Sequence, residues 1–177
     1  MALIVEDGTG LSNAESYASV SFVTQYATDR GLVWSTAVEA DNEAALRRAT
    51  VWLDARYRNR FVGYKINRRD QALEWPRHDA YDRNGDYISY LTVPVEVAKA
   101  NAEAAILELA NPGVLSPLIT TGEIARRIKV DVIEIEYARA TALTQDQRPI
   151  STVVEDIMGS LLVSIGGSRL AGKTARC

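Results

Sequence analysis

The stretch from Pro94 to Gly113 limits what this chain can fold into more than any other. Pro94 stands where proline is tolerated, at the opening of a helix, and Glu96 puts a negative charge in the first turn. Asn111-Pro112-Gly113 stops the helix. Between these signals Ala98, Ala100, Ala102, Ala104, Ala105 and Ala110 leave several faces small. Other helices can approach such a segment closely, so it is expected at the centre of a helical bundle.

Two helices precede it. Ser19 is placed to cap a segment running through Phe22, Val23 and Tyr26 to Arg30, with Gly31 just past its end. The second is expected over Asp41 to Tyr57, where Ala45, Ala49, Leu53 and Tyr57 fall four apart, flanked by Leu46 and Trp52. Arg47, Arg48, Asp54 and Arg58 are expected to face away from that stripe. Residues 59–92 lose helical periodicity: Trp75 precedes Pro76 and is biased to extended geometry, and Asn84-Gly85 signals a turn.

Beyond the central helix the period changes. Ile133, Ile135 and Tyr137 alternate with Glu134 and Glu136, and Ile128 and Val130 alternate across a turn near Asp131, which predicts a β-hairpin over 124–137. Ser151 opens a last helix carrying Val153, Val154, Ile157, Met158, Leu161 and Leu162, with Gly166-Gly167 at its end. The final ten residues hold Arg169, Lys173 and Arg176 without an acid and read as a flexible basic arm. The expected class is mainly α: a small helical bundle with one β-hairpin and an extended C-terminal helix and arm. Residues 1–150 form the core in this reading, and residues 151–177 the helix and arm.

Chemical motifs are few. Gly167 to Thr174 matches the P-loop pattern, but only three residues follow it, so the helix that would cradle phosphates is not expected. His78 is the only histidine and lies beside Arg77 and Asp79, as surface residues do. Asp79, Asp82, Asn84 and Asp86 lack calcium-loop spacing and read as an acidic turn. No enzyme, cofactor or metal is expected. The single cysteine, Cys177, allows no internal disulfide and fits a reducing compartment; no apolar run approaches a membrane span, and the N-terminus is wrong for a signal peptide.

Charge is more telling. The net charge is −3, yet residues 1–46 hold one basic and seven acidic side chains, while residues 47–83 hold ten basic and five acidic. Within the basic segment Trp52, Arg56, Tyr57, Arg58, Arg60, Phe61, Tyr64, Lys65, Arg68, Arg69, Trp75 and Arg77 interleave rings with cations. Single-stranded nucleic acid is held by such stacking platforms in basic grooves. Alternatively, Trp52, Tyr57 and Trp75 belong to the core and the arginines line a subunit interface; this second reading is preferred.

Several motifs carry a resemblance. They are Val5-Glu6-Asp7-Gly8-Thr9-Gly10, Ser16-Tyr17, Ala45-Leu46-Arg47-Arg48-Ala49-Thr50, Leu53-Asp54, Arg56-Tyr57, Gln71-Ala72-Leu73-Glu74-Trp75-Pro76-Arg77, Val93-Pro94-Val95-Glu96-Val97, and Lys129 to Tyr137. Over residues 5–137 the chain resembles a tailed-bacteriophage family often labelled DnaT-like single-stranded-DNA-binding protein. In helical layout it is also similar to phage head-tail connector proteins. The layout implies a virion protein of the neck, assembled in the host cytoplasm as a ring of about twelve subunits under the portal. Its implied partners are itself, the portal protein, a tail-side completion or tail-terminator protein, and double-stranded DNA in the channel, with no membrane. Val153, Ile157, Leu161, Leu162, Arg169, Lys173 and Arg176 would then meet the portal or a neighbouring subunit, and removing residues 151–177 would leave a folded protein. Arg47, Arg48, Arg58, Arg60, Lys65, Arg68, Arg69 and Arg77 would face the channel or acidic partners. The label implies instead a single-stranded-DNA-binding protein of phage replication. The connector is the expected function and the DNA-binding protein its alternative.

Overall fold

In the computed structural model of the protein the alanine-rich segment becomes a central helix on which three others pack. The structure describes residues 2–34, 37–117 and 151–163, together with the backbone of 127–130 and 133–136. The helices are α1 (Val20–Arg30), α2 (Glu39–Tyr57), α3 (Val95–Ala110) and α4 (Thr152–Met158). Short strands β1 (Tyr64–Lys65) and β2 (Arg77–His78) pair antiparallel, as do β3 (Arg127–Val130) and β4 (Ile133–Glu136). The fold is mainly α with a hairpin, as the periodicities predict.

Local chemistry accounts for most boundaries. Ser19 Oγ accepts from the Phe22 amide, and Gly31, at φ 63°, closes α1 in the left-handed conformation that favours glycine. Ala100, Ala102, Ala104 and Ala105 of α3 are fully buried, which lets α2 lie close along it. From α2 the expected stripe of Ala45, Leu46, Ala49, Trp52, Leu53 and Tyr57 enters the core. A polar seam joins the two helices: Asn101 Nδ2 donates to Thr50 Oγ1 at 2.9 Å, and Ser16 Oγ donates to Asn101 Oδ1 at 2.9 Å.

Asp54 departs from expectation. It was placed on the outer side of α2 but is buried, because the loop of residues 71–77 folds across it. Its Oδ1 accepts from the Tyr17 hydroxyl at 2.6 Å and its Oδ2 from the Glu74 amide at 3.1 Å, while Tyr17 Oη also accepts from the Trp75 amide at 3.2 Å. Ser16-Tyr17, Leu53-Asp54 and Gln71–Arg77, separate motifs in the sequence, thus meet at one knot. Burial pushes the Asp54 carboxyl up to about 7, against the pull of the Tyr17 and Glu74 donors.

Between the unfolded value near 3.8 and about 7, the folded state therefore holds the proton more tightly. Asp54 should make stability fall as pH rises through that window, by at most ~1.4 kcal/mol per pH unit, and contribute no further change above it. Urea unfolding of the wild type and of Asp54→Asn at a series of pH values checks this. The wild type should lose stability relative to the variant across the window, and parallel curves would refute the assignment.

Helix α4 also differs from expectation. It is shorter than the apolar spacing predicts and packs on α3 of its own bundle, with Val154, Met158 and Leu161 in the core and Ile157 and Leu162 against it. Val153 points away and is half exposed. After α4 the chain turns back to bridge Leu162 to Phe61, with the Val62 amide donating to Leu161 O at 3.3 Å and the Val163 amide to Arg60 O at 2.7 Å. The assignment of Ile157, Leu161 and Leu162 to a portal or a neighbour is thereby corrected: their apolar surface is used within the chain. Arg169, Lys173 and Arg176, with the P-loop-like segment, lie outside the described residues.

Candidate nucleic-acid interface

The basic segment of the sequence resolves into two populations. Most of its cations are tied to carboxylates of the same chain. Arg47 pairs with Glu15 at 2.9 Å and Glu43 at 3.2 Å, and Arg48 with the buried Glu108 at 2.8 Å. Glu155 of α4 takes Arg60 at 3.1 Å and Arg56 at 3.6 Å, and Lys65 lies 3.9 Å from Glu74. Burial pushes the Glu108 carboxyl up, but donation from the Gly113 amide, Arg48 and the Leu115 amide outweighs it, and the net shift is downward.

Arg77 is corrected most fully. It is buried, its Nε donating to Val62 O and its Nη2 to Gly63 O, both at 2.7 Å, and its Nη1 to Glu74 Oε2 at 2.9 Å. A guanidinium suits this place because its planar fork satisfies several carbonyls at once. Arg77 therefore braces the strand entry rather than facing DNA. Trp52, Tyr57, Phe61 and Trp75 likewise form a chain of ring contacts in the core, as the preferred reading of the segment required.

The second population is exposed. Among the described residues Arg58 makes a single long bond, 3.4 Å, to Asp54 O. Arg68 and Arg69, on a 3-10 turn at Arg68–Asp70, have no ion pair among the described residues. The Arg68 guanidinium lies 4.9 Å over the ring of Tyr64, within cation–π range. Tyr64 sits 5.8 Å from His78 across the β1–β2 pair, and His78 lies 4.3 Å from Tyr90. Tyr64 and Tyr90 are 42% and 38% exposed as whole residues. Beside Arg68 an open groove of about 570 Å³ is lined by Thr9, Gly10, Leu11, Ser12, Asn67 and Asp70. Asp70 and Asp79 are exposed nearby and moderate the positive field.

Backbone geometry holds this face together. Gly63 has φ 67°, and a Cβ there would come 2.2 Å from His78 O, so β1 can lie against β2 only with glycine at this position. Past β2 the chain turns around Asn84-Gly85 as expected: Asp82 Oδ1 accepts from the Asn84 and Asp86 amides, and Tyr81 bridges Tyr87. This acidic turn ends in a pair of exposed tyrosines with ring centroids 5.6 Å apart. The basic-aromatic cluster legible in the sequence ends at Arg77 and does not include Tyr90, Tyr81 and Tyr87. A signal was present, because Tyr81 and Tyr87, and His78 and Tyr90, are spaced equally about Asn84.

Together these features define a small, mainly α protein with an aromatic and arginine-bearing face. Among the described residues no helix is long and apolar enough to cross a membrane. The chain matches over residues 1–177 the family described as "Putative DnaT-like ssDNA binding protein", and it belongs to that family. No curated protein and no solved structure matches it. The family description corrects the expected function: the connector ring joining head to tail, with its portal, neck and virion attributes, gives way to the alternative reading.

Proposed function

We propose that the protein binds single-stranded DNA and acts by holding it, without catalysis or a cofactor. The reading is carried by Arg68 and Arg69, exposed and without an acidic partner among the described residues, on a chain whose family is described by that activity. The arginines tied to Glu15, Glu43, Glu108, Glu155 and Glu74 already have their charge partners. Arg68 and Arg69 are free to release counterions from a phosphate backbone.

Titration of a fluorescein-labelled oligothymidine at several salt concentrations tests the reading. Binding is expected at low salt. Replacing both Arg68 and Arg69 with alanine should make the logarithmic salt slope shallower by about 1.4, the value for two phosphates on a single strand. Absence of binding by the wild type at low salt would sink the proposal.

A further inference from the structure

The geometry points to Tyr64, His78 and Tyr90 as one base-stacking platform, a site that would take unpaired bases of single-stranded DNA. This inference rests on the DNA-binding reading and gives it a location. The three rings come from three successive passes of the chain: β1, β2 and the segment returning from the Asn84-Gly85 turn. They stand in a row, with centroids 5.8 Å and 4.3 Å apart and interplanar angles of 40° and 35°. A fourth flat group, the Arg68 guanidinium, lies over the Tyr64 ring at 4.9 Å from its centroid.

Two physical points favour bases over another apolar partner. Rings that served only to fill the core would be covered, as Trp52, Tyr57, Phe61 and Trp75 are, whereas Tyr64 and Tyr90 keep about two fifths of their surface open. The backbone also departs from common geometry at Arg68, whose guanidinium covers Tyr64, and at Asp79, next to His78. Among the described residues, Arg68 at φ 53° and Asp79 at φ 51° are the non-glycine residues in the left-handed region. Such conformations carry a cost and persist where the surroundings enforce them, often at ligand sites.

The platform would also distinguish single strands from duplex. In a duplex the base faces are stacked on one another and unavailable to protein rings, whereas a single strand offers a π-face at every residue. Cations alone cannot make that distinction, because both forms carry phosphates.

The experiment compares the wild type with three paired variants, Tyr64→Ala/Tyr90→Ala, Tyr64→Leu/Tyr90→Leu and Tyr64→Phe/Tyr90→Phe, using labelled oligothymidine and a duplex of equal length. Thermal melting of each variant reports on folding. The leucine pair keeps apolar bulk and provides the test if the alanine pair melts early. Loss of each ring should weaken single-strand binding about tenfold, so the alanine and leucine pairs lose about 100-fold. The phenylalanine pair should bind like the wild type, and duplex binding should be unchanged in all three. Wild-type binding retained by both the alanine and leucine pairs would overturn the platform and leave the DNA-binding reading standing. An equal loss in the phenylalanine pair would assign the effect to the hydroxyls and overturn stacking. A wild type that binds no single strand at low salt would instead remove the reading beneath it.

Discussion

Trp75→Ala is expected to lower the unfolding free energy by about 3–5 kcal/mol, the range for deleting a large buried aromatic ring. Trp75 is fully buried, edge-on to Phe61 at 5.9 Å, with its amide held by the Tyr17 hydroxyl. Removing the indole opens a cavity where the 71–77 loop meets the bundle. That loop cannot readily collapse into the space. Gln71 Nε2 ties its two ends by donating to Leu73 O at 2.9 Å and Pro76 O at 3.1 Å, and Arg77 fixes its exit. Trp75→Phe should cost less than its lost volume implies. The indole Nε1 is buried without a hydrogen-bond partner among the described residues, so the smaller ring also removes an unsatisfied donor. Urea titration followed by far-ultraviolet circular dichroism measures both. An alanine variant within 1 kcal/mol of the wild type would contradict a structural role for the motif.

Removing residues 151–177 is the second large effect, and it reverses the sequence-based expectation of a folded remnant. The truncation deletes Val154, Met158 and Leu161, all in the core, and uncovers the face of α3 beneath them. It also strips the pairing between residues 161–163 and the segment around Phe61, and leaves Arg56 and Arg60 without Glu155. Single truncations of buried Leu or Met to Ala cost about 2–5 kcal/mol each. Losing Met158 and Leu161 together with Val154 is comparable to the whole stability of a typical domain, about 5–15 kcal/mol. The truncated chain should show no cooperative thermal transition, while Val153→Ala, at a half-exposed position, should melt within a few degrees of the wild type. A cooperative melt of the truncated chain near the wild-type temperature would show that α4 is dispensable.

How much the sequence disclosed depended on whether a feature was local. The central helix, the Ser19 cap, the α2 stripe, the Asn84-Gly85 turn and the hairpin all rest on spacing or turn chemistry within a few residues. Asp54 failed because helical phase places it outward and only a loop about twenty residues away covers it. The internal partners of Arg48 and Arg60 were hidden for the same reason: Arg48 finds Glu108 across 60 residues and Arg60 finds Glu155 across 95. Of the apolar stripe expected on α4, Val154, Ile157 and Met158 pack on the bundle, while Val153 is half exposed and Leu161 and Leu162 lie past the helix. Periodicity identifies a buried face without saying what buries it or where the helix ends. Within the candidate site, Tyr64, Arg68 and Arg69 were legible as a basic-aromatic cluster. Tyr90 joins them through pairing about a turn that the reading recognised without following it to its neighbours.

The internal pairing of Arg47, Arg48, Arg56, Arg60 and Arg77 also bears on kinetics. Charges paired at contact distance project less field than free ones, and screening confines what remains to the range of a Debye length, about 8 Å at physiological salt. These paired arginines therefore do little to steer a strand in from solution, and the rate enhancement that exposed charge gives to encounter falls to Arg68 and Arg69. Encounter with a strand is thereby focused on the face around Tyr64, where Arg68 and Arg69 stand.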